Sequence, residues 1–165
     1  KYLAEETLKS FVQKYPKLTA TIVRLYSCIG PNQPLGFVTS DTCKKVKALK
    51  KSGGDTLEVG PIDSYRRFTD VRDVIKTFPI LMANSMGSRF EIFNVASPHN
   101  TQISKMIQTL LDLEKLPAKI VSKELTFNSF KGLNLDTSKM AQFIPDSAFR
   151  PLASTLKDII ASTAG

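Results

Sequence analysis

Short apolar, β-branched runs alternate with amphipathic helical stretches along this chain, and that alternation constrains the fold more than any single motif. Residues 1–14 place Leu3, Leu8, Phe11 and Val12 roughly on one helical face, with Glu5 and Glu6 spaced to pair with Lys9. Tyr15-Pro16 ends that helix, because a residue before proline is pushed out of the helical region. Residues 19–26, TATIVRLY, then read as a buried central strand. After a loop over 27–34, a second helix covers 37–51, opened by Thr39, Ser40 or Asp41. A third helix runs over 71–84, and Pro79 should kink or shorten it. Residues 89–96 form a strand, 102–115 a helix with Ile103, Met106, Ile107 and Leu110 on its apolar face, and 119–125 a further strand. Asp136-Thr137-Ser138-Lys139 opens a short helix, and 152–162 is the last. Helices and strands in this order predict an α/β architecture.

One stretch, LEVGPIDSYRRFTDVRDV at 57–74, has the order of a ligand site. A strand-like start turns at Gly60-Pro61, two arginines follow, and Thr69-Asp70 offers a helix N-cap. Arg66 and Arg67 therefore sit on a strand-to-helix connection, where α/β proteins present ligand-facing groups. A guanidinium there suits phosphate, since its planar fork donates two parallel hydrogen bonds. The plainer alternative is a solvated arginine pair, and Arg67 by itself reads as surface.

With 42% hydrophobic and 23% charged residues, the chain is of the folding and not the disordered type. It has no apolar run of the roughly 20 residues that a membrane span needs. The opening KYLAEETLKS carries no apolar signal region, and with only Cys28 and Cys43 as cysteines a reducing, cytoplasmic setting with free thiols is expected. The first residue is not Met, so this N-terminus reads as one made by cleavage or as the start of a fragment. One histidine, His99, and two cysteines without metal spacing make no metal site. The net charge of +8 admits a polyanionic partner. Its densest run, Lys44, Lys45, Lys47, Lys50 and Lys51, has no interleaved aromatics and reads as a wet helix face; a nucleic-acid partner is not expected.

Set end to end, these pieces resemble the C-terminal half of the extended short-chain dehydrogenase/reductase family, the nucleotide-sugar epimerases, dehydratases and reductases. Lys1-Tyr2-Leu3-Ala4-Glu5 is similar to the start of the family's active-site helix. Arg24-Leu25-Tyr26 followed by Gly30-Pro31 is similar to its strand and Gly-Pro loop. Arg66, Phe68, Val71 and Asp73 match its Arg-Asp-Phe-x-x-Val-x-Asp segment, and Phe93-Asn94-Val95 its Phe-Asn-Val strand. Gly36-Phe37-Val38-Thr39-Ser40-Asp41 with Val59-Gly60 and Ile62-Asp63 is most similar to the GDP-deoxyhexose branch, which includes the GDP-4-keto-6-deoxymannose reductases and GDP-mannose 4,6-dehydratases. Three departures stand out: Ser27 where the family has Asn, Arg67 where it has Asp, and Phe143-Ile144-Pro145 in place of Gly-Trp-x-Pro.

The resemblance implies the C-terminal part of an extended Rossmann-type fold, with residues 1–30 as its final Rossmann elements and 31–165 as a substrate-binding α/β region. It implies NAD or NADP, bound mainly by upstream residues, and a nucleotide-sugar substrate, a GDP-linked 4-keto-6-deoxyhexose in this branch. Lys1 would be catalytic and hold the nicotinamide ribose; the family's tyrosine acid/base lies four residues before it. Ser27, Cys28 and Gly30 would border the cofactor, and Ser27, Phe37, Val38 and Arg66 the substrate. The implied partners are the amino-terminal half of the same fold and, through the 1–14 helix, a second copy. The rival reading is a non-catalytic binding or assembly module, motivated by Ser27, Arg67 and the charge. In plainer readings Lys1 is an exposed terminal lysine, Asn94 bonds backbone at a strand end, Asp73 braces a helix, and Phe37 and Phe68 pack.

Overall fold

A computed structural model describes residues 1–85, 87–122 and 134–163. In chain order its elements are α1 (Tyr2–Lys14), β1 (Ala20–Leu25), β2 (Cys28–Ile29), α2 (Val38–Ser52), β3 (Thr56–Val59) and β4 (Tyr65–Arg66). They continue with β5 (Thr69–Asp70), α3 (Val71–Asn84), β6 (Phe90–Val95), β7 (Thr101–Gln102), α4 (Ile103–Glu114), β8 (Lys119–Ser122), α5 (Ser138–Ala141) and α6 (Leu152–Ser162). The predicted alternation holds. The predicted strand over 119–125 ends, among the described residues, at Ser122, and its remainder lies outside them.

The strands associate in pairs. β1 and β6 run parallel with Ala20 opposite Phe90 and Leu25 opposite Val95. β2 with β5 and β3 with β8 are also parallel, whereas β4 and β7 are antiparallel. Two apolar clusters follow from this. Val74 and Leu81 of α3, Phe93 and Val95 of β6, Met140 of α5 and Ile144 form one. The other joins Val46 of α2, Leu57 and Val59 of β3, Met106 and Leu110 of α4 and Leu156 of α6, with Phe68 reaching in from the loop before β5.

Several local expectations change in the folded chain. β1, expected to be a buried central strand, is only half covered, and Leu25 is 45% exposed. Among the described residues β1 has a single neighbour, β6, so its other edge is open. α1 likewise buries Val12 alone, leaving Leu3 78% exposed. Polar contacts hold it in place: Arg24 donates from Nε to Glu5 at 2.9 Å, and Arg89 donates to the carbonyls of Val12 and Tyr15. α1 therefore runs antiparallel to β1, and its N-terminus reaches the carboxyl end of the strand. α2 begins at Val38 without a side-chain cap; Ser40 donates to the Pro34 carbonyl and Asp41 accepts from Gly36 N–H instead. α3 continues through Pro79 to Asn84. The ring lies on the exposed face, where the carbonyl it leaves unpaired can meet water. Phe37, expected to pack, is 52% exposed, while Phe68 is buried.

The lysine run of α2 is less free than a wet face would be. Lys45 donates to the Glu58 carbonyl, Lys47 to the Thr163 carbonyl, and Lys50 pairs with Glu114 at 2.8 Å. Among the described residues no helix is long and apolar enough to cross a membrane.

Candidate functional site

The stretch 57–74 is stitched to its surroundings at both ends. Ser64 and Ile62 accept hydrogen bonds from the N–H groups of Ile103 and Ser104, so the first turn of α4 is capped by this segment's carbonyls. Further on, Thr69 is buried and acts as a junction. Its N–H donates to the Ser27 carbonyl at 3.1 Å, and its hydroxyl lies 3.2 Å from the carbonyls of both Tyr26 and Arg67. The same hydroxyl accepts from Ser97 N–H at 2.8 Å. One side chain thus joins the loops that leave β1, β4 and β6. Sequence reasoning read Thr69 only as part of an N-cap, because its partners are 28 and 43 residues away.

These loops enclose a cleft of about 300 Å³ lined by Tyr26, Ser27, Tyr65, Arg66, Arg67 and Asn100, with Leu135 beneath. It opens at the carboxyl ends of β1 and β6, the end at which α/β sheets bind ligands. A larger cleft, about 490 Å³, lies at the opposite end beside Thr19, Met82 and Ser88, and holds no charged group among the described residues. A third, of about 190 Å³, is an apolar slot formed by Val38, Val59, Pro61, Ile103 and Ile107, with Asp41 and Lys45 also lining it. Residues 60–67 run from this slot directly into the arginine cleft.

Ser27 adopts φ 44°, a left-handed conformation uncommon outside glycine, and its carbonyl is held by Thr69. The observed outlier, at the mouth of a cleft, marks the loop as a candidate for function. Asn94 donates to the Asp136 carbonyl at 2.8 Å and lies 3.5 Å from the Tyr26 hydroxyl, so it braces the cleft wall. Asp73 accepts from Arg150 N–H at 2.7 Å and likewise braces.

The remaining predicted site residues are dispersed around this centre. Val38 lines the apolar slot, and Phe37 precedes it at the start of α2. Cys28 is half-buried in β2; burial, then the nearby Asp70 carboxylate, pushes its thiol up from the ordinary range. Gly30 packs where only glycine fits, since a Cβ there would lie 2.6 Å from Val71 Cγ1. Lys1 is exposed at the head of α1. The Glu5–Arg24 pair sets that helix end beside the carboxyl end of β1, three residues before Ser27. Both cysteines are free, and burial pushes the Cys43 thiol up to about 12. Arg67, read from sequence as surface, is half-buried, lines the cleft and donates from Nη1 to Thr137 Oγ1 at 3.1 Å. The local pattern could not show this, because Thr137 is 70 residues away.

A parallel strand pair flanked by helices, with a cleft lined by two arginines at its carboxyl end, defines an α/β protein of the Rossmann-related kind. Residues 1–96 match the family described as the NAD dependent epimerase/dehydratase family, and the chain belongs to that family. Over 101 residues it is 31% identical to the GDP-6-deoxy-D-mannose reductase of Pseudomonas aeruginosa, covering 61% of this chain and 33% of that enzyme. Its fold is shared with RMD from Pseudomonas aeruginosa complexed with NADPH, at a TM-score of 0.80 and 23% identity over 98% of this chain and 53% of the other. It is also shared with the UDP-glucuronic acid 4-epimerase of Bacillus cereus in complex with UDP-glucuronic acid and NAD, at a TM-score of 0.74 and 17% identity over 96% and 49% of the two chains. The chain spans between about a third and a half of the length of these relatives.

Proposed function

We propose that this chain is the substrate-binding half of an NAD(P)-dependent nucleotide-sugar oxidoreductase, acting on a GDP-linked 4-keto-6-deoxyhexose. The observation that carries the reading is a cleft at the strand ends of a family member in which two guanidinium groups meet no carboxylate among the described residues. The relative that acts on a GDP-linked sugar supports the choice of nucleotide. Arg66 holds the diphosphate, and the apolar slot beside Val38 takes the base, eight residues or fewer along the same 60–67 segment. NAD or NADP fits the other wall: Lys1 and the Ser27–Gly30 backbone are both set at the carboxyl end of β1 by the Glu5–Arg24 pair and the Thr69–Ser27 bond. When bound, the cofactor supplies hydride exchange at the sugar C4. Lys1 holds the nicotinamide ribose and favours the ionised form of the tyrosine that precedes it in the family.

GDP binding to the full-length protein, measured by calorimetry, tests the reading. Arg66→Ala should weaken it at least about tenfold, about 1.4 kcal/mol, through loss of a charge-assisted fork. Unchanged affinity would remove Arg66 from the site. A cytoplasmic homodimer through the uncovered face of α1, with Tyr2 70% exposed, belongs to the same reading; a monomeric mass in light scattering would remove the dimer.

A further inference from the structure

We propose that Arg67 is a second phosphate contact, so that Arg66 and Arg67 bracket the two phosphoryl groups of a diphosphate; this rests on the nucleotide-sugar reading of the same cleft. Adjacent residues of a strand point to opposite faces, yet both arginines line this cleft. The reason is local. β4 ends at Arg66, and the chain turns as the Arg67 carbonyl meets the Thr69 hydroxyl at 3.2 Å. The bend brings the second guanidinium round to the side of the first.

The other described arginines are committed elsewhere. Arg24 pairs with Glu5, Arg72 with Asp70 and Asp158, Arg150 with Asp158, and Arg89 caps carbonyls of α1. Among the described residues Arg66 donates from Nη1 only to the Tyr65 carbonyl, at 2.8 Å, and Arg67 from Nη1 to Thr137 Oγ1. Neither has a carboxylate within ion-pair distance among the described residues. Arg67 Nε is moreover buried without a hydrogen-bond partner among the described residues. An unsatisfied buried donor on a charged group is costly and is uncommon unless function supplies the partner.

Two guanidinium groups on one small cleft also repel each other, and the attraction of each to an anion between them offsets that repulsion. A planar fork binds one phosphoryl group through two parallel hydrogen bonds. Two neighbouring forks therefore match two linked phosphoryl groups and over-supply a single one. The Thr137 bond sets the direction of Arg67 and leaves Nη2 without a partner among the described residues. A purely structural Arg67 would do no more than tie the β4 end to the segment before α5.

Calorimetry on the full-length protein separates these roles, with GDP, GMP and inorganic pyrophosphate as the probes. Arg67→Gln should weaken GDP at least about tenfold while weakening GMP less than about threefold, because only the second phosphoryl group loses its partner. Arg67→Lys keeps the charge without the fork and should recover part of the GDP loss. Thr137→Val removes the brace and should weaken GDP less than Arg67→Gln does. Equal losses for GDP and GMP in Arg67→Gln, or no loss in either, overturn the proposal and leave the nucleotide-sugar reading standing. If the wild type binds pyrophosphate but not GDP, and Arg67→Gln loses the pyrophosphate, the nucleotide reading falls and the Arg67 contact stands. If the wild type binds neither, both fall. Should Arg67→Gln not fold, Arg67→Lys carries the test: it must weaken GDP more than GMP, and equal effects overturn the proposal.

Discussion

Asp70→Asn is expected to destabilise the full-length protein by about 3 kcal/mol and to flatten the acid limb of its stability curve. The Asp70 side chain is wholly buried and sits at the join of β5 and α3. Its Oδ1 accepts from Arg72 N–H and Nε, both at 2.8 Å, capping α3. Its Oδ2 accepts from Arg72 Nη2 at 2.6 Å and from Thr155 Oγ1 at 2.7 Å, which draws α6 onto the same point. Arg150 Nε adds a longer ion contact at 3.4 Å. An asparagine amide would turn an NH₂ toward some of these donors, leaving them unpaired, and would remove the charge that balances Arg72.

The pH dependence follows from the same contacts. Burial alone would push the Asp70 carboxyl up, but the bonds from the Arg72 guanidinium and backbone and from Thr155 overrule it and hold the group at about 2, against an ordinary 3.8. A depressed carboxyl contributes stability that is fully present above its unfolded value and is lost as pH falls through the folded one. The wild type should therefore lose stability from about pH 4 down to about 2 more steeply than Asp70→Asn. Urea midpoints taken across that range decide it. Parallel curves for the two proteins would show that Asp70 carries no linked proton.

Leu110→Ala should cost about 3 kcal/mol, within the range of buried leucine truncations. Leu110 is fully buried on α4 and belongs to the cluster built by α2, α4, α6 and β3. Close-packed surroundings relax only partly around a deleted side chain, so a cavity term adds to the lost transfer energy. The midpoint of urea unfolding should fall with the slope unchanged. A loss below about 1 kcal/mol would mean that the three helices close over the gap, and that this cluster is not the rigid support that α4 gives to residues 62–64.

Local pattern was enough for the framework. Val46 of α2 and Met106 and Leu110 of α4 recur at helical spacing, and all three are buried. Leu57 and Val59 alternate with exposed Thr56 and Glu58 as a half-covered strand does. Asp70 followed by an apolar-periodic run announced the N-cap of α3, and Asp70 accepts from Arg72 N–H as a cap should. The two-residue strands β2, β4, β5 and β7 carried no such signal, because two residues display no period and their partners are remote in sequence.

The site divides along the same line. That Arg66, beside a turn and before a helix cap, faces a cleft was readable from residue type and order alone. That Arg67 shares its cleft, that Thr69 knots three loops, and that Phe37 stands exposed were decided by tertiary structure. Periodicity reports which face of an element is apolar; it does not report what that face meets. The apolar face of α1 and the β-branched β1 are both plain in the sequence, yet only Val12 is buried on the helix and the strand is paired on one edge. Coverage depends on neighbours brought in from far along the chain, and contacts such as Arg67–Thr137 exist only once the backbone has turned to make them.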